Sequence, residues 1–163
     1  SRRRHTRCSR DWSSDVCSSD LFNLGQLPSA LNCFNTALKL SARYPNALYN
    51  RGNVFAALGS YQSAVRDYDA ALILEPKNAA VHFNRANSLM YLGKFAAAEN
   101  SYQRAIDLDD KLPYLLGARL HNRMHYCNWS NFNVELKKLV LIVEFCHIPY
   151  GTVLIIAELN SYH

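Results

Sequence analysis

Leucine, alanine, glycine and aromatic residues return along this chain on a fixed beat. Leu24, Leu58 and Leu92 are equally spaced, and Gly25, Gly59 and Gly93 keep the same interval, as do Ala30, Ala64 and Ala98. The same shift superimposes Leu27 on Tyr61 and Phe95, Phe34 on Tyr68 and Tyr102, Ala37 on Ala71 and Ala105, and Leu40 on Leu74 and Leu108. Each glycine lies between two apolar-periodic segments, where a helix ending with positive φ needs a residue without Cβ strain. Each therefore marks a tight turn between two helices. Pro28, Pro45, Pro76 and Pro113 fall at or near helix starts, where a missing N–H is tolerated. The pattern predicts helices over 28–41, 45–58, 61–74, 79–92, 95–108 and 113–126. Ala30, Ala64 and Ala98 come one turn into the second helix of each pair, where a methyl group permits close approach. The aromatic Phe34, Tyr68 or Tyr102 then fills the space beside it.

The interval is that of the tetratricopeptide repeat (TPR), a helix–turn–helix unit of about 34 residues. The segments NALYNRGNVFAALGSYQSAVRDYDAALILEPKN and NAAVHFNRANSLMYLGKFAAAENSYQRAIDLDDK resemble two complete units, the second with Ala86 in place of Gly52 and Asp110 in place of Pro76. The resemblance implies an all-α fold, a solenoid of TPR helical hairpins forming part of a right-handed superhelix and closed by C-terminal capping helices. It divides the chain into a truncated repeat at 21–44, repeats at 45–78 and 79–112, capping or linker helices at 113–147, and a tail at 148–163 without assignment. In the truncated repeat Leu31, Phe34 and Leu38 are expected to lack a partner helix. Each half-exposed side chain would forgo about 1–2 kcal/mol of burial and leave that edge frayed.

Residues 1–20 stand apart. SRRRHTR and RDWSSDVCSSDL back-translate without strain into strings that resemble short-read sequencing adapters. The segment is expected to be an artefact, disordered and irrelevant to the fold. Taken at face value it would read as a basic arm (Arg2, Arg3, Arg4, Arg7, Arg10) or as a Cys8/Cys17 pair.

Setting it aside changes the charge. Five arginines against Asp11, Asp15 and Asp20 contribute +2 of the formal +5, leaving +3 on residues 21–163. That is too mild to argue for nucleic acid or a membrane surface as partner. Cys33, Cys127 and Cys146 remain, an odd number without CxxC spacing, which fits a reduced, cytoplasmic chain better than a disulfide framework. The apolar stretch 136–159 contains Lys137, Lys138, Glu144, His147 and Pro149, and so falls short of a membrane span.

From Leu112 the chain reads LPYLLGARLHNRMHYCNWSNFNVELKKLV. Through Leu120, Met124, Cys127, Asn128, Trp129, Ser130 and Phe132 it resembles the joint between the repeats and the catalytic region of bacterial SPINDLY-like O-linked N-acetylglucosamine transferases. The resemblance implies a parent enzyme dependent on UDP-GlcNAc, of which this portion recruits the acceptor protein. That family's catalytic region opens with a Gly-Tyr-Val-type strand and a His-Pro turn, neither of which occurs before His163. No catalytic residue and no cofactor is assigned, and this chain is expected to bind no nucleotide sugar. The alternative is a stand-alone TPR adaptor. Trp129 and Phe132 would then simply cover the open end of the solenoid, and Ser130 would cap a helix starting near Asn131.

The candidate binding residues recur with the repeat. Asn50 and Asn53, then Asn84 and Asn87, occupy one face of the first helix of each hairpin. An exposed Asn can donate and accept at once, and so grip the backbone of an extended peptide without reading its side chains. This resembles the asparagine ladder of O-GlcNAc transferases, and implies a protein or extended peptide as partner. Tyr49, Phe83 and Tyr91 would add stacking surface. The competing reading is that these Asn satisfy bonds between helices and that the aromatics are core. A clamp for peptide carboxylates is not expected, because Tyr114 and Ala118 stand where its cations would be. Arg51 and Arg85 also recur. His121, His125 and Cys127 have metal-compatible spacing but no carboxylate nearby, so a packed or surface pair is expected rather than a metal site.

Overall fold

The computed structural model describes residues 21–22, 24–109 and 113–146; the expectations for residues 1–20 and for the tail lie outside them. Seven helices follow one another among the described residues: α1 Leu27–Leu40, α2 Pro45–Ala57, α3 Tyr61–Leu74, α4 Ala79–Tyr91, α5 Phe95–Leu108, α6 Pro113–His125 and α7 Phe132–Cys146. All regular structure described is helical. The first six match the predicted spans to within one residue at either end. Each packs on its neighbour in sequence, and α2 also touches α4, the corresponding helix one repeat on. This is a solenoid, in which contacts stay between adjacent units.

The turns carry the glycine signal as anticipated. Gly25, Gly59 and Gly93 have φ of 71°, 74° and 70°. In each case the next residue's N–H reaches back to the carbonyl five positions earlier: Gln26 to Leu21 at 2.9 Å, Ser60 to Phe55 at 2.8 Å, Lys94 to Leu89 at 2.9 Å. That bond satisfies a carbonyl the helix end would otherwise leave unpaired. The same closure occurs a fourth time, with Asn128 N–H bonding Arg123 O at 3.0 Å around Cys127, whose φ is 54°. Cys127 stands one repeat after Gly93. A side chain thus occupies a left-handed position that the three preceding turns give to glycine.

Pro45 opens α2, and Asn78 caps α4, its Oδ1 accepting from Val81 N–H at 3.3 Å. Ser130 stands two residues before α7. Its carbonyl accepts from Arg123 Nη1 at 2.9 Å, and Asn131 precedes the helix with φ of 57°.

The core is a row of small and large residues. Ala64, Ala71 and Tyr68 on α3 interlock with Leu48 on α2 and Val81 on α4. One repeat later Ala98 and Tyr102 on α5 do the same with Ala86 and Leu89 on α4 and with Val65 on α3. The fit is tight: a Cβ added at Gly52 would lie 2.6 Å from Tyr68 Cε1. At the first repeat the expectation of an uncovered edge needs correction at Phe34. Phe34 is 1% exposed, enclosed with Ala30 by Ala47 and Val54 of α2 and flanked by Leu21 and Phe22. Leu21, Phe22 and the following helix suffice to cover it, while Leu31 and Leu38 remain half-buried, as expected.

Candidate functional site

A cleft of about 440 Å³ runs across α2, α3 and α4. Asn53 and Ala56 of α2 and Asn84, Asn87, Ser88 and Tyr91 of α4 line its walls, with Tyr61 and Tyr68 of α3 at its back and Phe22 at its end. The repeat brings them together, since Asn87 is Asn53 shifted by one unit.

Its hydrogen bonds are ordered. Tyr68 Oη donates to Asn53 Oδ1 at 2.8 Å, and Tyr102 Oη donates to Asn87 Oδ1 at 2.6 Å. Burial pushes both tyrosine hydroxyls well above their ordinary pKa, so they stay protonated donors. Asn84 Nδ2 bridges the repeats, donating to Asn53 Oδ1 at 3.0 Å and to Tyr49 Oη at 3.1 Å. The side-chain oxygens of Asn53 and Asn87 are therefore engaged from behind, which turns their amide N–H groups toward the cleft. Asn84 is engaged the other way, through its nitrogen. The sequence reading treated each Asn as donor and acceptor together; the tyrosines divide those roles.

Tyr91 is 65% exposed and stacks on Tyr61, with ring centroids 4.6 Å apart and planes within 9°. Tyr49 and Phe83 are more internal. Tyr49 tilts against Tyr68 at 6.2 Å, and Phe83 is wedged between Tyr102 and Tyr114 at 6.0 and 5.1 Å. Asn50 is half-buried and does not line the cleft. Sequence reasoning passed over Phe22, Tyr61 and Tyr68. The signal for Tyr61 was present in its register with Leu27 and Phe95.

The recurring arginines face elsewhere. Arg51 holds Asp67 in a two-pronged pair, Nε to Oδ2 and Nη2 to Oδ1 both at 2.7 Å, and reaches Asn35 at 3.0 Å. Arg85 bonds Asp69 at 2.6 Å and Ser101 at 2.5 Å. Arg119, a further repeat on, bonds Glu99 at 2.7 Å and pairs with Glu135 at 3.4 Å. Each ties its helix to the helices on either side. Arg123 joins the last set, donating to Glu99 at 2.8 Å and Glu135 at 3.2 Å, so two arginines and two glutamates hold α5, α6 and α7 together.

His121 and His125 take the register of Asn87 and Tyr91. Their rings meet edge to face at 4.7 Å, and His125 stacks on Phe95 at 5.6 Å. Burial, aided by His125, holds the His121 pKa below the ordinary imidazole value. Among the described residues no three His, Cys, Asp or Glu side chains gather as a metal site. No helix among them is long and apolar enough to cross a membrane.

The geometry defines a helical-repeat interaction scaffold. The chain belongs to the tetratricopeptide repeat family: one profile of the TPR repeat matches residues 19–59 and 52–90, another residues 79–112, together more than half its length. Its fold is similar to that of the solved MamA 41-end from Desulfovibrio magneticus RS-1, at TM-score 0.77 and 18% identity, over 82% of this chain and 75% of that one. The Arabidopsis OM64 TPR domain is similar at TM-score 0.66 and 21% identity, over 69% and 93%. The first TPR of Spaghetti bound to the HSP90 peptide SRMEEVD is similar at TM-score 0.68 and 17% identity, over 70% and 90%. Comparison with curated protein sequences finds no significant match.

Proposed function

We propose that this chain holds an extended peptide segment of a partner protein in the cleft formed by α2, α3 and α4. The observation that carries this reading is the pair of Asn53 and Asn87, one repeat apart, with their oxygens fixed from behind by Tyr68 and Tyr102. Amide groups held in this way are pre-organised to donate to main-chain carbonyls, which every peptide offers. The exposed Tyr91 adds a ring for side chains. A TPR domain of the same fold is bound to an HSP90 peptide, which supports the peptide class, though the acidic sequence of that ligand has no cationic counterpart in this cleft.

The resemblance of residues 112–140 to the joint of SPINDLY-like transferases supports the further reading that this portion recruits acceptors for a UDP-GlcNAc-dependent parent. The residues that carry it also have a simpler account. Cys127 closes a repeat-type turn, and Trp129 falls one repeat after Phe95, packing edge to face on Phe132 at 5.1 Å. A stand-alone adaptor uses them equally well. The odd cysteine count supports a reducing, cytoplasmic setting.

Selection of random linear peptides against the chain, followed by titration of an enriched peptide, tests the proposal. Asn87→Ala is expected to weaken binding about tenfold at unchanged helicity, as loss of one well-placed hydrogen bond does. Recovery of peptides whose affinity is indifferent to Asn87 and Tyr91 would refute it.

A further inference from the structure

We infer that the segment this cleft takes is uncharged and proline-rich, bound in the polyproline II conformation. The inference rests on the peptide-groove reading and names the ligand class. Three features of the wall point the same way. First, none of the nine residues lining the cleft is ionisable at neutral pH, because the nearby Arg51 and Arg85 are turned into Asp67, Asp69 and Ser101. A carboxylate or phosphate brought here would lose its hydration without gaining a partner.

Second, the polar groups are unbalanced. Asn53 and Asn87 each present an amide donor, since their oxygens already accept from Tyr68 and Tyr102; Asn84, with its nitrogen committed to Asn53 and Tyr49, presents the one amide carbonyl. An ordinary extended chain offers as many N–H groups as carbonyls, and some of those N–H groups would face donors and lose their water unpaired. Proline keeps the carbonyl and has no N–H. A segment in which prolines alternate with other residues matches the two amide donors and the one amide acceptor, and the hydroxyls of Tyr61, Ser88 and Tyr91, which can donate or accept, fit it equally.

Third, the aromatic surface is stacked and repeated. Tyr91 lies on Tyr61 at 4.6 Å, and in the same register one repeat later His125 lies on Phe95 at 5.6 Å. Flat, rigid rings spaced by the repeat suit pyrrolidine rings, and a polyproline helix arrives already ordered, with little conformational entropy left to lose.

The test uses the full chain and two capped peptides of about twelve residues, one alternating proline with alanine and one with every proline replaced by serine, compared by calorimetric titration. The proline peptide is expected to bind at least about tenfold more tightly, and both Tyr91→Ala and Asn87→Asp to weaken it about tenfold with helical circular dichroism unchanged. Tyr91 is exposed, so that variant keeps the test usable if Asn87→Asp disturbs folding. Equal binding of the two peptides, lost in the variants, overturns the proline inference and leaves the peptide groove standing. Binding of the proline peptide that ignores both variants overturns the site. Silence from both peptides overturns the inference, and the random-peptide selection then decides the groove reading separately.

Discussion

The two central hairpins, α2–α3 and α4–α5, and the terminal pair α6–α7 share one backbone register and hold together by different means. In the central pairs Ala64, Ala71, Ala98 and Ala105 are essentially inaccessible, and Tyr68 and Tyr102 fill the space between them. At the corresponding positions of the terminal pair stand Phe132, Leu136 and Leu139, with Leu120 where Gly52 and Ala86 were. Large residues replace the small ones and Leu136 replaces the tyrosine, so those helices cannot approach by the same interlock. They pack instead as a cluster of large side chains with Leu116 and Met124 beside it, and the four-membered ion cluster of Arg119, Arg123, Glu99 and Glu135 adds to that packing. The register is thus a property of chain length between turns, while the packing chemistry is free to change upon it. One consequence reaches the cleft. The Tyr–Asn bond of each central hairpin has no analogue in the terminal pair, where the matching residues are Leu136 and His121.

The largest expected effect comes from removing the central interlock. Tyr102→Ala should cost about 3–5 kcal/mol, because the ring is fully buried among Ala98, Ala86 and Leu89, whose backbones are too close-packed to collapse into the void. Urea denaturation followed by circular dichroism measures this. A loss below about 1 kcal/mol would show that the terminal and central pairs do not differ in the way described.

The ion cluster should respond next. Glu99→Gln removes the negative charge shared by Arg119 and Arg123, and all four side chains are mostly shielded. Two guanidinium groups would then face Glu135 alone, at a cost of about 2–3 kcal/mol. If these charges help to hold the terminal pair, hydrogen exchange should rise in α6 and α7 and not in α2 and α3. Uniform acceleration along the chain would contradict that.

These two responses also show what could be read in advance. The regular spacing of glycine, alanine and aromatics placed six helices and their turns, because each of those residue types answers a local requirement of a turn or a close approach. The register of α6–α7 was hidden, since Cys127, Phe132 and Leu139 keep the spacing and abandon the residue types. In the candidate cleft, recurrence picked out Asn53, Asn84 and Asn87, and aromatic character picked out Tyr91. Recurrence could not separate them from Asn50, Tyr49 and Phe83, which recur as regularly and do not line the cleft. Nor could it show which end of each amide is engaged, as that depends on hydroxyls carried by the partner helix.

A smaller contrast lies between the two central hairpins themselves. Gly52→Ala should destabilise by about 1 kcal/mol, because the new Cβ meets the buried ring of Tyr68 while helix propensity returns part of the loss. Ala86→Gly should cost a similar amount for the opposite reasons, a lost buried methyl and a more flexible unfolded chain. The pair of melting curves separates ring contact from propensity: stabilisation by Gly52→Ala would mean that Tyr68 shifts freely.

The least costly change makes a central hairpin resemble the terminal one. Tyr68→Phe deletes only the hydroxyl, keeping the ring against Leu48, Ala64 and Ala71. Stability should fall by about 1 kcal/mol, the usual net contribution of one hydrogen bond. Asn53 Oδ1 still accepts from Asn84 at 3.0 Å, so the oxygen is not left bare and the helices have no reason to move. What changes is freedom. Without the hydroxyl, the Asn53 amide keeps only its bond from Asn84, so its orientation is held less firmly and the flipped end is reached more often. Peptide affinity should therefore drop several-fold while the thermal midpoint shifts by only a few degrees. Adding Tyr102→Phe should weaken binding again by a similar factor, since Asn87 loses its anchor independently one repeat away. Binding that survives both changes would mean that the amides are oriented by the ligand rather than by the tyrosines, and the distinction drawn between central and terminal pairs at the cleft would not hold.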